Sequence, residues 1–108
     1  AQKLHSMQFK FGLYTSAGNA TCNSHQEGHQ TPGSEGHYQA DANTFASWEI
    51  DYVKMDWCGD VKKRIWEGAK DYKAFSEALN HTSRPIFFEC VAGFLFLIGE
   101  VPEYCNSW

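Results

Sequence analysis

The sequence predicts an α/β fold with parallel strands covered on both faces. Three observations lead there. Segments with the two-residue alternation of a strand are followed by segments with apolar residues at helical spacing. The order repeats as strand, loop, helix, strand, loop, helix, strand, which suits right-handed helical crossovers between parallel strands. The last strand-like run, "PIFFEC" at 85–90, is continuously apolar through Ile86, Phe87 and Phe88, as expected of a strand buried on both sides. An open doubly wound sheet and a (β/α)8 barrel both fit this pattern.

The elements follow in chain order. In "MQFKFGLYTSAG" (7–18), Phe9, Phe11 and Leu13 alternate with Lys10 and Gly12, and Ser-Ala-Gly ends the run, so a strand is expected. Residues 18–37 are rich in Gly and polar side chains and read as a long loop, a feature of functional segments. "YQADANTFASW" (38–48) places Ala42, Phe45, Ala46 and Trp48 on one helical face. "IDYVKMD" (50–56) is rich in strand formers. "KDYKAFSEALN" (70–80) gathers Tyr72, Phe75, Ala78 and Leu79 on one face of a second helix, and "HTSRP" ends it because Pro85 cannot continue a helix. Parallel strands share a direction, so Tyr14, Lys54 with Asp56, and Glu89 with Cys90 are expected on one rim. In a barrel, that rim carries the chemistry.

Composition excludes several classes. The chain has 108 residues and a net charge of −4, which argues against a nucleic-acid partner. Its longest apolar stretch, "CVAGFLFLIG" at 90–99, is too short to span a bilayer and reads as a buried or covered segment, with Glu100 and Glu103 solvated beside it. Four Cys, at 22, 58, 90 and 105, allow three disulfide pairings. Together with glycosylation sequons at Asn19 and Asn80, the even count points to an oxidising compartment. The first residue is Ala, not Met, as in a mature product or a piece of something longer.

Three blocks carry a resemblance: "FGLYTSAGNATC", "PGSEGHYQADANTFASWEIDYVKMDWC" and "RPIFFEC" with "EYCNSW". In order and spacing the chain resembles the retaining glycoside hydrolases of family 27, the α-galactosidases and α-N-acetylgalactosaminidases. The resemblance implies that residues 1–108 are part of a (β/α)8 catalytic barrel, about strands three to five with their helices. The first residues would close the preceding helix. The N-terminal strands and the C-terminal half, with the catalytic acid/base just beyond Trp108, would lie outside the chain. The implied activity is cleavage of terminal α-linked galactose, the implied partner an α-galactoside, and no metal or organic cofactor is required. The parent would be secreted, lysosomal or vacuolar, and a homodimer.

By the same resemblance Asp56 is the nucleophile, Lys54 supplies positive charge beside it and contacts substrate hydroxyls, and Tyr14 lines the sugar site. Cys22 would pair with Cys58, tying the loop after the first strand to the nucleophile loop, and Cys90 with Cys105. Trp57 replaces the usual Asn or Gly, so its indole would stack on a sugar or crowd the rim. Val91 stands where the family contacts the sugar's 2-substituent through Glu or Ser, and so weakens either specificity. Glu89, one residue before Cys90, is expected on the opposite face, replacing the missing carboxylate only if the strand end bulges. Glu49 stands where the family has Gly.

Rival readings keep their place. The same barrel would serve α-N-acetylgalactosaminide or β-L-arabinopyranoside hydrolysis, or a non-catalytic sugar-binding protein. Cys22, His25, His29 and His37 suggest a zinc site, but Gly28, Pro32 and Gly33 disfavour the helix its spacing needs.

Overall fold

A computed structural model of the protein describes residues 1–23, 31–59, 65–91 and 103–107, with the backbone alone at 65 and 66. Its elements are α1 (Gln2–Ser6), β1 (Gly12–Ser16), α2 (Tyr38–Ser47), β2 (Tyr52–Asp56), α3 (Ile65–Asn80) and β3 (Phe87–Cys90). The three strands form one parallel sheet in the order β1-β2-β3.

Sequential order with crossovers of one hand places both connecting helices on the same side of a sheet. The core shows that side. Val53, Met55, Phe88 and Cys90 pack with Ala42 of α2 and with Tyr72, Phe75, Ala78 and Leu79 of α3. Each fully buried large apolar side chain stabilises by about 1.5–3 kcal/mol, and the aromatic rings add ring contacts: Phe75 meets Tyr38 edge-on at 5.8 Å and Phe88 at a tilt at 5.4 Å. The opposite side of the sheet is open, with Tyr14 45% and Phe87 47% exposed. Within the described residues "PIFFEC" is covered on one side: Phe88 meets the helices and Phe87 does not. Among the described residues, no helix is long and apolar enough to cross a membrane.

Local boundaries differ from the sequence reading for physical reasons. Phe9 and Phe11 precede β1: Met7, Gln8 and Phe9 donate their N–H groups to carbonyls at the end of α1, and Gln8 takes a left-handed φ of 64°. Phe9 is 57% exposed. Helix α3 begins five residues before Lys70; Gly68, a poor helix former, conceals its first turn in the sequence. Trp48 is no part of the buried face of α2. It caps the helix and is exposed, and the chain turns there: Glu49 N–H donates to the Ala46 carbonyl at 3.0 Å and Ile50 N–H to the Phe45 carbonyl at 3.1 Å. These two bonds close a Schellman turn, whose residue after the cap needs a left-handed backbone. Glu49 supplies it at φ 58°, so the turn is kept where the family pattern has Gly.

Candidate active site

The parallel register decides which side chains meet. Tyr14, Lys54 and Glu89 form one row across the three strands, and Ser16 and Asp56 stand in the next row toward the C-terminal edge. Residues two apart on a strand share a face, so all five belong to the side away from the helices. Asp56 ends β2. Its Oδ2 accepts from the Tyr14 hydroxyl at 3.1 Å and its Oδ1 from the Trp57 N–H at 3.0 Å. Partial burial and, next, the Asp56 carboxylate push the Tyr14 phenol above its ordinary value, so it stays a donor.

Backbone and sulfur brace this edge. Cys22 is bonded to Cys58, with Cα atoms 5.1 Å apart, and both sulfurs and an Asp56 carboxylate oxygen lie within 4.8 Å of one another. Cys90 is bonded to Cys105 across a separation of 15 residues, for which loop entropy gives roughly 3 kcal/mol. Of the three pairings open to four cysteines, the structure holds this one. Ser16, fully buried, accepts at Oγ from the Cys58 N–H at 3.0 Å and the Gly18 N–H at 3.3 Å. Gly18 lies against the Cys58 carbonyl and Gly33 against the Gly18 carbonyl, where a Cβ at either position would overlap backbone. The Tyr38 hydroxyl donates to the Ala17 carbonyl at 2.5 Å. Sequence reasoning singled out neither Ser16 nor Tyr38. The only signal was a hydroxyl residue ahead of a glycine turn, which is common in loops.

Several expectations change. Lys54 does not pair with Asp56: its ammonium lies 4.0 Å from Glu89 Oε1, and among the described residues no ion pair joins it to Asp56. Glu89 does not point to the opposite face. It stands level with Lys54 without any bulge, and the two-residue period sets it on the same side as Val91. Its Oε2 accepts from the Tyr52 hydroxyl, which holds that phenol above its ordinary value. Trp57 turns from the open face: it packs against the core, and its indole N–H reaches Asp71 of α3 at 3.4 Å. Val91 follows β3, 36% exposed, with its N–H on the Met55 carbonyl and its own carbonyl accepting from Tyr72.

Of the residues that suggested zinc, Cys22 is no free thiolate, His37 stands just before α2 with no side-chain cap bond, and His25 and His29 lie outside the described residues. The apolar 93–99 stretch and Glu100 lie outside them too, while Glu103 is exposed. Asn19 and Asn80 are both exposed.

The opposite edge of the sheet is built differently. Asp51, just before β2, accepts from His5 Nε2 at 2.6 Å, Phe11 N–H at 2.9 Å and Arg84 at 3.0 Å, with Lys10 at 3.9 Å. The Phe11 N–H first, then His5, lower its carboxyl to about 2. Arg84 also donates to the Glu49 and Ile50 carbonyls, both at 2.9 Å.

Comparison with known proteins places the chain in a family. The family model described as "Alpha galactosidase A" matches residues 1–108. The chain belongs to the α-galactosidase family. It is 44% identical to alpha-galactosidase mel1 of Schizosaccharomyces pombe, over all of this chain and 24% of that relative. Against human alpha-galactosidase A it is 36% identical, over all of this chain and 25% of that protein. The solved α-galactosidase of Saccharomyces cerevisiae with raffinose superimposes with a TM-score of 0.80 at 34% identity, covering 100% of this chain and 23% of that one. This chain thus spans about a quarter of the length of these α-galactosidases.

Proposed function

We propose that the full-length protein carrying this chain is a retaining glycoside hydrolase that releases terminal α-D-galactosyl residues, with Asp56 as its nucleophile. The observation that carries this reading is a carboxylate at the C-terminal end of a parallel strand, held by the Tyr14 hydroxyl and braced by the Cys22–Cys58 bridge. Families of this type use two carboxyl groups, one attacking and one shuttling a proton. An Asp56 oxygen forms a bond to the anomeric carbon as the bond to the leaving oxygen breaks. A proton donor outside these 108 residues protonates that oxygen, and water then releases the sugar from the aspartyl ester. Tyr14 and the Trp57 N–H fix the carboxylate plane, so less orientation is lost at the moment of attack. Lys54 presents its ammonium to substrate hydroxyls from the row below.

On the same reading, residues 1–108 form about strands three to five of a (β/α)8 barrel. The sequential strand order and the helices on one side support it, as does an open side lined with polar groups, which a barrel would turn inward. The two disulfides support a secreted, lysosomal or vacuolar parent. Asn19 and Asn80 are its proposed glycan sites.

Intact mass after treatment with a mechanism-based galactoside tests the central assignment. Wild-type full-length protein should gain one glycosyl unit, and Asp56→Asn should gain none. Equal labelling of the variant would remove Asp56 from the role. A panel of aryl glycosides tests the sugar, with the α-galactoside expected to turn over ahead of the α-N-acetylgalactosaminide and the β-L-arabinopyranoside.

A further inference from the structure

Two carboxylates compete for one ammonium at this edge. Asp56 lies two residues beyond Lys54 on the same face, and Glu89 lies level with it on the next strand. The structure resolves the competition in favour of Glu89, at 4.0 Å. Glu89 is itself anchored. Tyr52, two residues before Lys54, donates its hydroxyl to Oε2, and its ring stacks on Phe87 at 5.9 Å with the planes 17° apart. Glu89 is also the less exposed member of the pair, 29% against 46% for Lys54.

We propose that Glu89 is a positioning residue: it holds the Lys54 ammonium off Asp56 and directs its remaining donors toward the bound sugar. An ammonium has three donors and no fixed fork, so its direction is set by whichever anion is best fixed. A partly exposed pair of this kind adds little to stability. Its effect lies in direction. Held by Glu89, Lys54 leaves both Asp56 oxygens to Tyr14 and Trp57. Released, it swings to Asp56, shields the attacking oxygen and vacates its contact with the sugar. The proposal rests on Asp56 being the nucleophile and adds a residue that the motif pattern does not include.

A double-mutant cycle on the full-length protein tests it, using Glu89→Gln, Lys54→Met and the pair, assayed on an aryl α-galactoside. Glu89→Gln should raise KM roughly 10-fold, the scale of a hydrogen bond to a charged group, with a smaller fall in kcat. On the Lys54→Met background the same change should have almost no effect. Glu89→Asp should recover part of the loss, and Tyr52→Phe should give a smaller rise in KM. An unchanged KM in Glu89→Gln, or equal factors on both backgrounds, overturns the proposal. If Glu89→Gln folds poorly, Tyr52→Phe alone decides: an unchanged KM there overturns it. Labelling of wild-type Asp56 is scored separately by mass, so failure of the nucleophile reading appears as unlabelled wild type. The Glu89–Lys54 coupling is then read from galactose affinity by calorimetry, with the same two outcomes.

Discussion

Two aspartates bracket β2, and they are treated in opposite ways. Asp51, before the strand, collects hydrogen bonds from Phe11, His5 and Arg84 and is only 13% exposed at its side chain. Asp56, at its end, has a phenol and a neighbouring N–H as donors, and no ion pair among the described residues. A carboxylate surrounded by cations and N–H groups is stabilised where it is and has little left to give. A carboxylate held by two donors in a fixed plane keeps lone pairs for another partner. One end of the strand ties the fold together, and the other keeps a carboxylate open to a further partner, the division that the proposed barrel would expect of its two rims.

The sharpest way to break this contrast is to neutralise each aspartate in turn in the full-length protein. Asp56→Asn should lower kcat by at least ~10³-fold, the scale for removing a nucleophile, while its thermal midpoint stays close to wild type. A large loss of stability with activity per folded molecule retained would reverse the roles. Next in size is the bridge beside Asp56. Replacing both Cys22 and Cys58 with Ala opens a loop of 36 residues and should cost about 4 kcal/mol in denaturant unfolding. A loss below ~1 kcal/mol would mean that backbone contacts alone brace this edge.

Asp51→Asn should cost about 1–3 kcal/mol, because Phe11, His5 and Arg84 lose a charged acceptor, with kcat per folded molecule unchanged. Its pH dependence sharpens the point. The folded carboxyl is lowered from 3.8 to about 2, so its contribution is present above about pH 4 and is lost as pH falls through about 2. The stability gap between wild type and Asp51→Asn should therefore be flat above pH 4 and close toward pH 2. The smallest effect concerns the turn feeding into Asp51. Glu49 sits at φ 58°, and Glu49→Gly should raise stability by roughly 0.5–1 kcal/mol in thermal unfolding. A loss would show that its side chain matters more than its backbone strain.

The two ends of β2 were not equally legible. The shared edge of Tyr14, Lys54, Asp56 and Glu89 followed from the common direction of parallel strands, while the face of Glu89 did not. Both disulfides followed from resemblance alone, since spacing left three pairings open. The Asp51 cluster was invisible because its members come from 33 to 46 residues away, and nothing local in "HTSRP" marks Arg84 as more than a loop cation. Trp57 was read from its place beside Asp56, although consecutive strand residues face opposite sides, and Glu89 was misplaced by counting from Cys90 where Val91 was the reference. Alternation is a rule about parity, so an error of one position in the reference residue inverts every orientation that follows.

Where Gly18, Gly33 and Cys58 meet, backbone lies against backbone with no room for a side chain at either glycine. Such a contact has no rotamers to exchange and nothing soft to absorb a shove. A methyl group added at Gly18 or Gly33 would push backbone against backbone, two residues along the chain from Asp56 at Cys58. The shape of this corner is thus set by main chain meeting main chain, with no side chain between them to trim or exchange.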